Sequence, residues 1–156
     1  MNGRVLSFVA VLAAGGFFVA HGAFSQSTTS ATRRAINLPD DNAQLPFSGA
    51  ILAGNTLYLS GRIGIDAKTG KAPAEIDDEI ELLLDYVKAT LTASGMAMDD
   101  LVYVQVACTD LTLYDRFNAA YRTYFATKEF PAREFIGVAS VLRGGHFEVQ
   151  AIAVKR

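Results

Sequence analysis

Ile80, Leu83, Leu84, Val87 and Leu91 recur at the spacing of a helix, and shortly afterwards Val102, Val104, Val106 and Cys108 recur at the spacing of a strand. A switch of period from 3.6 to 2 over so short a stretch joins a helix to a strand by a tight connection, with both apolar faces closing on one core. An all-helical bundle and an all-β sandwich are both excluded. The first spacing predicts a helix over 75–94, with Asp and Glu in its first turn and Gly95 as its stop. The second predicts a strand over 101–108.

The remaining elements follow from turn chemistry. Two apolar runs between Gly49 and Ser60 are separated by Gly54-Asn55, both tolerant of positive φ, and predict a hairpin. Residues 66–70 form a turn-rich loop. Thr112 and Asp115 resemble a capping box and open a second helix with Leu113, Phe117, Ala120, Tyr121, Tyr124 and Phe125 on one side. Pro131 follows its end. Strands over 135–141 and 147–154 are joined through Arg143-Gly-Gly-His146. The order β-β-α-β-α-β-β makes this an α+β chain, a mixed sheet with two helices on one face. The other face is then apolar and bare, and association covers it.

Composition narrows the classes. A chain of 156 residues that is 51% apolar and 19% charged supports one domain. The net charge is −2, and removing residues 1–25 takes away only Arg4 and leaves −3. That balance offers no basic footprint for nucleic acid. Arg4, the uncharged run Val5–Ala20 and small residues around Ala23 and Ser25 read as a secretory signal peptide over 1–25, with an uncleaved anchor as the competing reading. Cleavage leaves a periplasmic or secreted protein with no stable membrane association. Residues 26–45 read as a polar leader without regular structure, and 46–156 as the domain.

Two charged residues stand out against the apolar strands. Arg133 follows Pro131 at the mouth of a strand, and a guanidinium is a rigid fork matched to carboxylates. Glu148 lies inside a strand that is otherwise apolar, where a carboxylate is costly unless paired or in use. The plainer readings are a surface pair of Arg133 with Glu134 or Glu129, and a solvent-facing Glu148. Cys108 reads as an inert core residue, His146 as a lone exposed histidine, Arg33-Arg34 as a solvated pair, and Phe117, Tyr121 and Phe125 as core. One cysteine and one histidine after residue 25 make neither a zinc site nor a nucleophilic triad.

Five pieces in order carry a resemblance: Pro46-Phe-Ser-Gly-Ala, Gly54-Asn-x-Leu-Tyr-Leu-Ser-Gly61, Asn118, Phe130-Pro-Ala-Arg133 and Glu148-Val-Gln-Ala-Ile-Ala153. Over residues 35–156 the chain resembles the RidA/YjgF family of reactive intermediate deaminases, formerly labelled endoribonuclease L-PSP. The resemblance implies a chorismate-mutase-like α+β fold, a homotrimer with a pocket at each interface, and hydrolysis of 2-imino acids of the 2-aminoacrylate type to 2-keto acids and ammonia. It implies no metal and no organic cofactor. Arg133 matches the arginine that grips the substrate carboxylate, and Glu148 the glutamate that positions or activates water. Gly61 and Phe135 match positions whose backbone amides face the ligand, and Asn118 a position on the pocket rim. The chain departs from the family pattern at Phe47, where a tyrosine is usual near the pocket, and at Phe135, where a smaller residue is usual. It departs again at Arg62, a second cation, and at Gln150. The alternative to an enzyme is a trimeric protein of the same fold that binds small carboxylates without turnover. A nuclease is disfavoured by the negative charge.

Overall fold

The computed structural model describes residues 32–41 and 44–156. The signal segment over 1–25 and the start of the leader lie outside the described residues. The elements are β1 (Arg33–Ile36), β2 (Ala50–Ala53), β3 (Thr56–Ile63), α1 (Ile76–Ala93), β4 (Leu101–Cys108), α2 (Tyr114–Tyr121), β5 (Ala132–Gly137) and β6 (Phe147–Val154). The strands form one mixed sheet in the order β1-β2-β3-β6-β4-β5. Every pairing is antiparallel except that of β4 with β5. A parallel pair needs a crossover, and α2 supplies it.

Register decides which residues face the helices. Leu57 and Leu59 pair with Ala153 and Ala151, and Val104, Val106 and Cys108 pair with Ala151, Val149 and Phe147. All are buried against Ile80, Leu83, Leu84, Val87 and Leu91 of α1 and Phe117 and Tyr121 of α2. The opposite face carries Ile51, Tyr58, Ile63, Ile136, Ile152 and Val154 with no helix over it, and Tyr58 is half exposed.

The helix over 75–94 ends as expected. Gly95 takes φ +73°, Met96 N–H reaches Leu91 O and Gly95 N–H reaches Thr92 O, both at 2.9 Å. That is the Schellman pattern, which satisfies carbonyls left open at the helix end. Residues 53–56 make a two-residue hairpin in which Gly54 alone takes positive φ, at +63°.

Several expectations are corrected. The leader is not wholly irregular, because Arg33–Ile36 adds an edge strand to β2. Its arginines are exposed, as a solvated pair should be. Asp110, not Thr112, caps the turn before α2, since its carboxylate accepts from Thr112 N–H at 2.9 Å and Thr112 Oγ1–H at 2.7 Å. The strand expected over 135–141 runs from Ala132 to Gly137 instead. It stops where its partner stops, at the pairing of Gly137 with Cys108.

Candidate functional site

Arg133 pairs in register with Val104, whose side chain is buried under the helices, so Arg133 lies on the helix face of the sheet. Its Cζ stands 5.0 Å from the Tyr121 ring centroid and 5.6 Å from those of Tyr114 and Phe135. A guanidinium at such distances is drawn to the ring faces. Among the described residues no carboxylate pairs with it. The surface pairing with Glu134 or Glu129 is therefore absent, and Glu134 instead accepts from the Tyr103 hydroxyl at 3.1 Å.

Beside Arg133 opens a pocket of about 280 Å³, lined by Tyr114, Asn118, Tyr121, Arg122, Phe130, Pro131 and Arg133. Tyr114, Asn118, Tyr121 and Arg122 stand at i, i+4, i+7 and i+8 along α2 and the turn that continues it, so they form one stripe. The Tyr121 hydroxyl is buried and meets no hydrogen-bond partner among the described residues. Burial pushes its pKa up to about 12, against the opposing pull of Arg133, so it stays a donor at neutral pH. Buried polar atoms are nearly always satisfied, which makes this one informative. Phe135 does not fill the pocket. Its ring packs edge-on to Tyr114 and Phe117, at centroid distances of 4.9 and 5.6 Å, and forms part of the wall behind Arg133.

Val138 N–H donates to Cys108 O at 2.9 Å, so alternation along β5 turns the amides of Arg133 and Phe135 away from β4. β5 is the outer strand, and those amides lie on its free edge.

Glu148 occupies the other face. It pairs with Ala107 and Ile63, whereas its neighbours Phe147 and Val149 are buried under the helices. Its carboxylate rests against Gly61, where an added Cβ would come within 2.0 Å of Oε1. The half-buried Glu148 is thus given its place by a missing side chain. The structure gathers Arg133, Phe135 and Asn118 on one side and Glu148 with Gly61 on the other. Within one chain the two groups do not converge. Phe47 is 58% exposed in the loop before β2, and no ring contact or hydrogen bond joins it to either group among the described residues.

The profile of the family described as Endoribonuclease L-PSP matches residues 39–155. This chain belongs to the RidA/YjgF family. A RutC family protein of Pyrococcus horikoshii is 36% identical over 111 residues, covering 70% of this chain and 87% of its own. The 2-iminobutanoate/2-iminopropanoate deaminase of Escherichia coli K12 is 34% identical over 113 residues, covering 71% and 88%. The crystal structure of the Escherichia coli YjgF gene product aligns with a TM-score of 0.72 at 32% identity, covering 79% of this chain and 99% of that one. The mixed sheet with helices on one face is the chorismate-mutase-like fold of the RidA/YjgF proteins.

Other residues of this RidA/YjgF chain gain roles that one-dimensional reading missed. Glu79, fully buried in the first turn of α1, accepts from His146 N–H at 2.6 Å, Phe147 N–H at 3.1 Å and lies 2.7 Å from His146 Nδ1. His146 is therefore not a lone exposed histidine but the partner of a buried acid. Gly64 and Gly145 leave room for Glu79, and a Cβ on Gly64 would come within 2.3 Å of its backbone oxygen. Arg62 is not a free second cation. It grips Asp41 by two bonds of 2.6 and 2.9 Å and ties the leader to β3. Burial pushes the Asp41 carboxyl up, but hydrogen bonds from Arg62 and Leu38 N–H and the charge of Arg62 outweigh it and hold the pKa below its ordinary value. Cys108 is buried as expected, and burial pushes its thiol up, away from nucleophilic use. Tyr121 is both a core residue and a lining residue of the pocket, a double role that its place beside Asn118 on the α2 stripe would have signalled.

Proposed function

We propose that this protein is a cofactor-independent deaminase of small reactive 2-imino acids, exported and active as a homotrimer. The observation that carries this reading is Arg133, a guanidinium without a carboxylate partner among the described residues, seated among three rings on the rim of a small pocket. Relatives named 2-iminobutanoate/2-iminopropanoate deaminase support the reaction class.

The open face of the sheet, with Ile51, Ile63, Ile136 and Ile152, favours burial against other copies of the chain. In a ring of copies, the β5 edge of one protomer borders Gly61 and Glu148 of the next, and the two groups meet. Arg133 then holds the substrate carboxylate, with the free Phe135 amide as a second donor, and orients the imine carbon. Glu148 takes a proton from water as it attacks that carbon, giving a tetrahedral carbinolamine. That proton passes to nitrogen to complete the carbinolamine, and transfer of the carbinolamine's hydroxyl proton to the amino group through Glu148 then breaks the C–N bond as the carbonyl forms. One imino acid and one water become one 2-keto acid and one ammonia.

Purified protein should release ammonia faster than buffer from an imino acid made in situ by an amino-acid oxidase, and Arg133→Ala should remove the gain. Equal rates for wild type, variant and buffer defeat the reading. A second reading, a trimeric small-carboxylate binder without turnover, is favoured by the separation of Arg133 from Glu148 within one chain. Under it, calorimetry detects 2-oxobutyrate binding while ammonia release stays flat. Export through a signal over 1–25 predicts a mature N-terminus near residue 26 in the envelope or medium fraction, read by terminal sequencing.

A further inference from the structure

The pocket beside Arg133 contains a second guanidinium. Arg122 follows α2 directly, and its Cζ lies 5.9 Å from the Phe130 ring centroid, on the same pocket wall. No carboxylate pairs with the Arg122 side chain among the described residues; its hydrogen bonds there are made by the backbone, whose N–H caps α2 and whose oxygen accepts from Lys128 Nζ at 3.1 Å. The rings beneath the two cations, Tyr121 and Phe130, are stacked with centroids 6.5 Å apart. Asn118 and Tyr121 also line the pocket, and the Tyr121 hydroxyl is buried without a hydrogen-bond partner among the described residues. Two like charges on one small cavity, neither matched by an acid, favour a ligand that brings two negative groups of its own.

We propose that the substrates this pocket selects are 2-imino dicarboxylic acids of four or five carbons, whose distal carboxylate is held by Arg122. The α-carboxylate goes to Arg133, and Asn118 serves the groups between. With carbon–carbon bonds of about 1.5 Å, the carboxyl carbons of such acids lie roughly 4 to 5 Å apart, short enough for a pocket of about 280 Å³ lined by both arginines. Hydrolysis consumes one water and yields the 2-oxo dicarboxylate and ammonia, with no redox step. This inference rests on the reading of Arg133 as the carboxylate-binding group.

Calorimetry with the stable products tests it. 2-Oxoglutarate should bind the purified protein at least about tenfold more tightly than 2-oxobutyrate. Arg122→Ala should bring that ratio toward one, Arg122→Lys should keep much of it, and Arg122→Glu should reverse it. In ammonia release, KM for the imine made from aspartate should rise more in Arg122→Ala than KM for the imine made from alanine. Arg122 is exposed, so these variants leave the core untouched. Equal affinity of wild type for both acids, or a preference that survives Arg122→Ala, overturns the inference and leaves the role of Arg133 standing. Binding of both acids that is indifferent to Arg133→Ala overturns the role of Arg133, and this inference with it.

Discussion

The two faces of the sheet differ in how they hold a charge. On the helix face Arg133 is fixed by what surrounds it: three rings, a helix stripe and a pocket. On the open face Glu148 is fixed by what is missing, the side chain of Gly61. One group is built into a finished wall, and the other waits on a surface that has no cover of its own. On the proposed reading, the contrast teaches that a single copy of this chain presents two half-sites, and that assembly decides whether they become one.

The largest test of that contrast mixes inactive partners. Glu148→Gln should lower kcat by about 10²- to 10⁴-fold, and Arg133→Ala should bring the rate to that of buffer. Equal amounts of the two variants, unfolded and refolded together, should recover about a quarter of the wild-type rate, because that share of heterologous interfaces unites an intact Arg133 with an intact Glu148. No recovery would show that Arg133 and Glu148 of different copies do not complete a shared site. Next in size, Ile152→Asp puts a charge in the middle of the bare face and should convert the proposed trimer to monomer, read by light scattering. A variant that stays assembled would show that this face is not the contact.

Glu79→Ala probes the helix side near the start of β6. It strips a buried acid from two backbone amides and the His146 ring, and should cost about 3 to 5 kcal/mol in urea unfolding. A loss below about 1 kcal/mol would mean that the amides find other partners. The smallest effect belongs to Asp41→Asn. The folded pKa of Asp41 lies below its unfolded value, so its stabilisation is present at neutral pH and is lost as pH falls through the folded value. Removing it should cost about 1 kcal/mol at pH 7 and flatten the pH–stability curve below about pH 4.

Much of the fold was legible because burial on one face writes a period into the chain. β4 and β6 fall at 101–108 and 147–154 and Gly95 stops α1 as expected, but a register shift between Leu101 and Tyr103 buries Leu101 and leaves Val102 exposed, off the face of Val104, Val106 and Cys108 that the alternation predicts for it. β1 was not legible, since Arg33-Arg34-Ala35 are all exposed and only Ile36 is buried, leaving no alternation to read. The end of β5 was hidden for another reason. Residues 138–141 include apolar side chains that suit a strand, but β4 has run out of partner backbone at Cys108. Contacts between distant residues were the least visible. Nothing near His146 in the sequence announces Glu79, and nothing near Arg62 announces Asp41. Glu148 lies on the strand where the sequence put it, whereas Arg133, expected just ahead of a strand over 135–141, lies inside β5. Their placement on opposite faces follows from parity of register, which requires knowing which residue of β4 each one pairs with.

The aromatic seat of Arg133 has a practical consequence. Rings steady a cation but do not neutralise it, so the guanidinium keeps an appetite for whatever small organic anion is abundant nearby. On the proposed reading, acetate or citrate in a preparation competes with the substrate for this seat. Rates measured after exhaustive exchange into a carboxylate-free medium will therefore exceed those measured straight from such buffers.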